Sequence, residues 1–231
     1  MPTPWPAAFT VNFLSNVSWP HADFAGAVSG RVEYSWAERA QRITHGPGAV
    51  ECVKFYGVHT ACTLLTNVDG LYRLLPEPGP TQSACCLDMP SIHTPPPHWA
   101  DDGKPSDGGV VSLVLRNGPV TAHDWQYPST GVCANRTSPT SGCHQYMEGA
   151  AGGAFEGKPL LFSFPASDGL QDWYYAPESM RMGPIDPARF ALPVGCRGRR
   201  CAAPVLADGV AGIGRTPLTP PAIPMARATV A

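Results

Sequence analysis

The stretch Val28-Ser29-Gly30-Arg31-Val32-Glu33-Tyr34-Ser35-Trp36 alternates with a period of two. Val28, Val32, Tyr34 and Trp36 fall on one side, and Ser29, Arg31, Glu33 and Ser35 on the other. That period is the mark of a half-buried strand, with one face on a core and one in water. Phe9–Ser18 repeats it: Phe9, Val11, Phe13 and Val17 oppose Thr10, Asn12, Asn16 and Ser18. The pattern points Asn16 outward.

Working outward, a strand near Arg39–His45 meets Gly46-Pro47-Gly48, a turn signal, and Val50–Tyr56 is predicted to complete a hairpin. Thr60–Thr66 and Leu71–Leu75 flank Asn67-Val68-Asp69-Gly70, a second hairpin. Gly109–Leu115 is apolar on both faces and pairs with Val120–Tyr127 across Asn117-Gly118-Pro119. Lys158–Pro165 and Asp172–Ala176 are further strand candidates. Ser91–Gly109 reads as a long loop. Asp186-Pro187-Ala188-Arg189 is a helical start, with Asp as N-cap and Pro at the first helical position. The expectation is a mainly β chain built as an antiparallel meander.

Composition agrees. Of 231 residues, 27 are Pro and 24 Gly, and charged residues reach only 15%. Pro and Gly interrupt helices and punctuate turns, so short strands are favoured. A net charge of −2 gives no electrostatic reason to expect nucleic acid as a partner. No apolar run approaches the ~20 residues that span a bilayer, so no transmembrane segment is expected. The first residues lack a basic start, and a removed signal peptide is the expectation. One domain is read over 1–203, with an insertion at 128–145. A Pro-rich tail, 204–231, follows without an amphipathic face.

Eight cysteines and the sequons at Asn16 and Asn135 point to an oxidising compartment, and so to a secreted or lumenal glycoprotein. Neighbours in a strand face apart, so Cys85 and Cys86 should reach different partners. Cys133–Cys143 would close the insertion, and Cys196–Cys201 a tight loop. Cys52 and Cys62 would then pair with each other or with Cys85 and Cys86. Eight cysteines allow about 105 connectivities, and spacing alone does not select one.

The runs Glu51-Cys52-Val53-Lys54-Phe55-Tyr56, Gly70-Leu71-Tyr72-Arg73 and Cys85-Cys86-Leu87-Asp88 resemble those of the ependymin-related secreted proteins. So do Thr94-Pro95-Pro96-Pro97-His98-Trp99-Ala100, Lys158–Pro165 and Phe190–Cys196. The resemblance covers roughly residues 9–196; the insertion, Cys201 and the tail depart from it. It implies a curved antiparallel half-barrel with a few short helices, similar to the sheet of bacterial lipoprotein carriers. It also implies secretion, disulfides, glycans, calcium, matrix contact and hydrophobic ligands.

A curved sheet would offer a concave apolar face lined by Phe13, Val32, Tyr34, Trp36, Phe55, Leu113, Leu115, Phe162, Phe164 and Trp173, suited to a lipid or other apolar small molecule. Asp101, Asp102 and Asp107 are candidate calcium ligands in one loop, since calcium takes six to eight oxygens. No other cofactor is expected. Gly-X-Ser-X-Gly, Walker and His-Glu-X-X-His patterns are missing, so no enzyme activity is expected. The functional expectation is a non-enzymatic binding protein. The alternative is a structural subunit of an extracellular assembly, joined to a protein partner through 204–231.

Overall fold

The computed structural model describes residues 1–17, 23–76, 78, 83–101, 104–128, 143–166 and 169–201. The tail from 202 onward lies outside the described residues, as does most of the insertion. Among the described residues eleven strands form one open antiparallel sheet. They are β1 (Ala8–Val17), β2 (Val28–Ser35), β3 (Ala40–His45), β4 (Cys62–Asn67), β5 (Gly70–Leu74), β6 (Cys85–Met89), β7 (Lys104–Leu115), β8 (Gly118–Pro128), β9 (Cys143–Gly149), β10 (Pro159–Ala166) and β11 (Gly169–Met182). The spatial order is β6-β5-β4-β3-β2-β1-β11-β10-β9-β8-β7. Two meanders therefore meet where β1 pairs with β11, which joins the two ends of the chain's body at the centre of the sheet. Among the described residues no helix is long and apolar enough to cross a membrane.

The alternation read from the sequence sets the two faces. Phe9, Val11 and Phe13 of β1, Val32 and Tyr34 of β2, Ile43 of β3 and Trp173 and Tyr175 of β11 form one buried cluster, the core face. Trp5, the helix α1 (Val50–Tyr56) and the segment around Pro95–Ala100 cover it. Phe13 stacks on Trp173 with ring centroids 5.0 Å apart. Gly30 lies over the Phe13 ring, where a Cβ would collide with it. Tyr34 Oη donates to the Pro95 carbonyl at 2.9 Å and so ties the covering segment down.

Val50–Tyr56 corrects the sequence reading: it is a seven-residue α-helix, and β3 pairs with β4 directly. The run satisfies both periods, because Ala49, Cys52 and Tyr56 also recur at helical spacing and are its buried apolar positions. Nonlocal contacts decide between them. Asn16 Oδ1 accepts from the Val50 amide at 2.8 Å, and Asn16 Nδ2 donates to the Gly48 carbonyl at 3.0 Å. Cys52 bonds to Cys62 of β4. Gly57, at φ 64°, ends the helix in the left-handed conformation. Two strands escaped the sequence reading, β6 and β9; residues 143–145, read as insertion, begin β9, and residues 104–109, read as the end of a long loop, begin β7. The Asp186 start gives a 3-10 turn, Pro187–Phe190, with Asp186 Oδ1 accepting from the Ala188 amide at 3.0 Å.

Three disulfides are present among the described residues. Cys52–Cys62, Cys85–Cys196 and Cys86–Cys201 have Cα separations of 5.8, 5.2 and 4.8 Å. Cys85 and Cys86 do reach different partners. The Cys196–Cys201 pairing is corrected, since each bonds across to β6 instead. The Cys133–Cys143 pairing lies outside the described residues. The two bonds at β6 hold the segment 196–201 beside that edge strand. There the Leu87 amide donates to the Arg199 carbonyl at 2.7 Å and the Cys201 amide to the Leu87 carbonyl at 3.1 Å.

Candidate functional site

The other face of the sheet carries a groove. Between Thr10 and Asn12 of β1 the partner strand β11 spends extra residues, so Pro177–Met180 bulge out of the ladder. Pro177 has no amide to donate. Ser179 Oγ repairs the gap by accepting from the Asn12 amide at 2.9 Å. The bulge carries Glu178 to the turn of the β7–β8 hairpin, where Asn117 Nδ2 donates to Glu178 Oε1 at 3.2 Å. Three strand spacings separate β11 from β8, ~14 Å in a flat sheet. The sheet must therefore curl toward this face, helped by the bulge.

The curl encloses about 940 Å³. Its apolar end is lined by Leu14, Phe24, Leu115, Val120, Phe155 and Tyr174. Its polar floor is a cross-strand row of Asn12, Arg31 and Thr44, which are register partners on β1, β2 and β3. Thr44 and Ala61 also line a second recess of about 480 Å³, bounded by Thr63, Leu74 and Pro193–Cys196. The floor between them is positive. Glu33 is buried and receives Arg189 Nε and Nη2 at 3.0 and 2.9 Å, while Arg31 Nε and Arg42 Nε stand 3.9 and 3.8 Å away. One carboxylate thus faces three guanidiniums. Burial, and then Arg189, lower the pKa of Arg42, against the opposing pull of Glu33. The hydrogen bond and charge of Glu33 raise that of Arg189. The Tyr174 phenol is pushed up by burial and then by Asp172.

The ten residues expected on one apolar face are divided. Phe13, Val32, Tyr34, Trp36, Phe162 and Trp173 belong to the core face, packed against each other and their cover. Leu113 and Leu115 belong to the groove side, with Leu115 reaching the groove itself. The side chains of Phe55 and Phe164 lie outside the described residues. The division has a simple cause: β7 and β1 are far apart in the sheet, and period-two alternation within a strand does not say which face it shares with another.

Asp101 is exposed and pairs with His98 across 3.4 Å. Asp102 and the Asp107 side chain lie outside the described residues, and among those described no cluster of three or more potential metal ligands occurs. Asn16 is exposed, and both polar atoms of its side chain bond to the start of α1. Asn135 lies outside the described residues. The core face also holds a buried polar triad. Trp173 Nε1 donates to Glu51 Oε1 at 2.5 Å, and Glu51 Oε2 stands 3.5 Å from His45 Nδ1. Burial lowers the His45 pKa, with Glu51 opposing.

Leu14, Tyr174, Phe24, Phe155 and the Glu33–arginine cluster were missed in the sequence. One signal was visible: the run Trp173-Tyr174-Tyr175 puts large rings on both sides of a strand, which means both faces are covered. The arginines gather from β2, β3 and the 3-10 turn, and no local spacing announces that.

No family model matches this chain, and no curated protein matches it. Among solved structures, it is similar to an uncharacterized conserved protein from Thermus thermophilus. The two are 12% identical over 83% of this chain and 88% of that one, with a TM-score of 0.44.

Proposed function

We propose that this protein is a secreted or lumenal, non-enzymatic glycoprotein that binds an apolar ligand with a polar head. The observation that carries the reading is the groove, apolar at the Leu14, Phe24 and Phe155 end and positively charged on its floor at Arg31. An acyl-sized molecule has both characters, and a pocket of several hundred cubic ångströms is the usual size for such ligands. Apolar contacts would supply affinity, and the polar row would fix orientation. The ependymin-like motifs point the same way, and the disulfides suit an oxidising compartment.

The test is displacement of a fluorescent long-chain fatty acid, together with native mass spectrometry of protein purified from its source. The expected outcome is a lipid-sized adduct and saturable binding. Phe155→Glu, which puts a charge at the half-buried apolar end, should weaken binding at least tenfold without loss of fold. A bare mass combined with no probe binding would overturn the proposal.

A further inference from the structure

The two edges of the sheet are treated differently. At β6 the chain closes its own edge: Arg199–Cys201 lie along it, bonded to Leu87 and stapled by Cys85–Cys196 and Cys86–Cys201. At β7 no described residue takes that place, and β8 is its one strand neighbour. Natural sheets protect such an edge with charge, proline or bulges. The first half of β7 carries such devices in Lys104, Pro105 and the register shift before Val110, but its regular part, Val110-Val111-Ser112-Leu113-Val114-Leu115, has neither charge nor proline. Its ladder to β8 runs without a register shift from Val110–His123 to Leu115–Gly118.

The turn sets which groups point outward. Leu115 and Gly118 are joined by the two residues Arg116 and Asn117, so Leu115 directs its amide and carbonyl toward β8. Leu113 and Val111 follow. Val110, Ser112 and Val114 then direct theirs to the open edge. The side chains of these three share one face, and Val110 and Val114 are 51% and 48% exposed. Among the described residues they are the two large exposed hydrophobics that share one strand.

We propose that this edge pairs with β7 of a second copy of the chain, antiparallel and two-fold symmetric about Ser112. In that register Ser112 faces its own copy, and each Val110 faces the other chain's Val114. All three are hydrogen-bonded pairs, giving about six main-chain bonds across the axis at two per pair. The half-exposed valines become cross-strand neighbours. A two-fold axis brings each central residue against its own kind, so a charge there would meet a like charge; none is present. The nearest charged positions in sequence, Asp107 and Arg116, are of opposite sign and lie at opposite ends of this stretch, so the axis sets position 107 of one copy toward position 116 of the other, with Lys104 further out. The contact is isologous and closes at two. Val110, Ser112 and Val114 lie on the face opposite Leu113 and Leu115, and the contact meets the groove only at its rim, where Arg116 lines it.

The test is a Ser112→Cys variant of the full chain, run on a non-reducing gel and mapped by peptide mass, beside sedimentation of the unaltered protein over a concentration series. Paired Ser112 Cα atoms would lie ~5.5 Å apart, within the range a disulfide spans. The expected results are a dimer of the variant linked through its two introduced thiols and a reversible monomer–dimer equilibrium of the unaltered protein. Val114→Lys should weaken that equilibrium at least tenfold, whereas Val68→Lys, on the exposed β4–β5 turn, should leave it unchanged. The inference is overturned by monomer at every concentration with the introduced thiol uncoupled. It is equally overturned by a dimer indifferent to Val114→Lys, or by one that appears only when 202–231 are deleted, which would make the tail the occupant.

Discussion

Asn16 shows how much one side chain can do in this fold. Its φ of 62° is left-handed, which Asn tolerates better than most residues, and the register of β1 on β11 shifts between Leu14 and Val17. The irregularity lets Leu14 and Val17, three apart, share the groove-side cluster. The side chain meanwhile serves as the cap that α1 lacks locally, since Ala49 offers none. Asn16→Ala should lose the cap, ~1 kcal/mol, and add left-handed strain of ~1 kcal/mol. Asn16→Gly should lose only the cap. Urea denaturation of both checks this; equal midpoints, both near that of the unaltered protein, would deny Asn16 its structural role. The outward direction of this residue was legible in the alternation of β1. Its capping role was not, because the partner, Val50, lies 34 residues away in sequence.

At the scale of elements, α1 and the β6 edge are both decided by cysteine pairing. Cys85–Cys196 and Cys86–Cys201 close loops with separations of 111 and 115 residues, but each closes nearly the same loop. Once one is formed, the other constrains only a short span. On chain-entropy grounds, removing either pair should cost ~2 kcal/mol and removing both ~7 kcal/mol. The double variant should also raise amide exchange at Leu87, whose bond to Arg199 depends on the clamp. Guanidinium unfolding of the three variants measures the first expectation. Simple additivity would show that the two bonds act independently. That Cys85 and Cys86 diverge follows from strand alternation alone. Their partners do not, because only the folded chain brings 196 and 201 to β6.

For the whole molecule, acidity should loosen the core face from within. His45 is fully buried against Phe13 and Trp173, and burial lowers its pKa. The unfolded chain, with His near ~6.5, then binds the proton more readily than the folded one. Stability is therefore complete above that pH and falls as pH drops below it. The urea midpoint should decline between pH 7.5 and 5, and His45→Gln should flatten the decline; an unchanged slope in the variant would place the sensitivity elsewhere.

The sequence by itself determined that the chain is mainly β, where most strands lie, and which residues of each regular stretch share a side; Val17, read with Phe9, Val11 and Phe13, instead joins Leu14 on the groove side beyond the register shift in β1. These are properties of neighbours two apart, and the pleat enforces them locally. The tertiary structure decided that Val50–Tyr56 is a helix, that the aromatic face is filled while the groove lies opposite, and that β6 is closed while β7 is an edge among the described residues. Those outcomes depend on which distant strands meet, and on a disulfide, a cap and an arginine cluster assembled from separate elements. No short-range pattern carries that information, because the free energy that selects it comes from contacts made only after the sheet has formed.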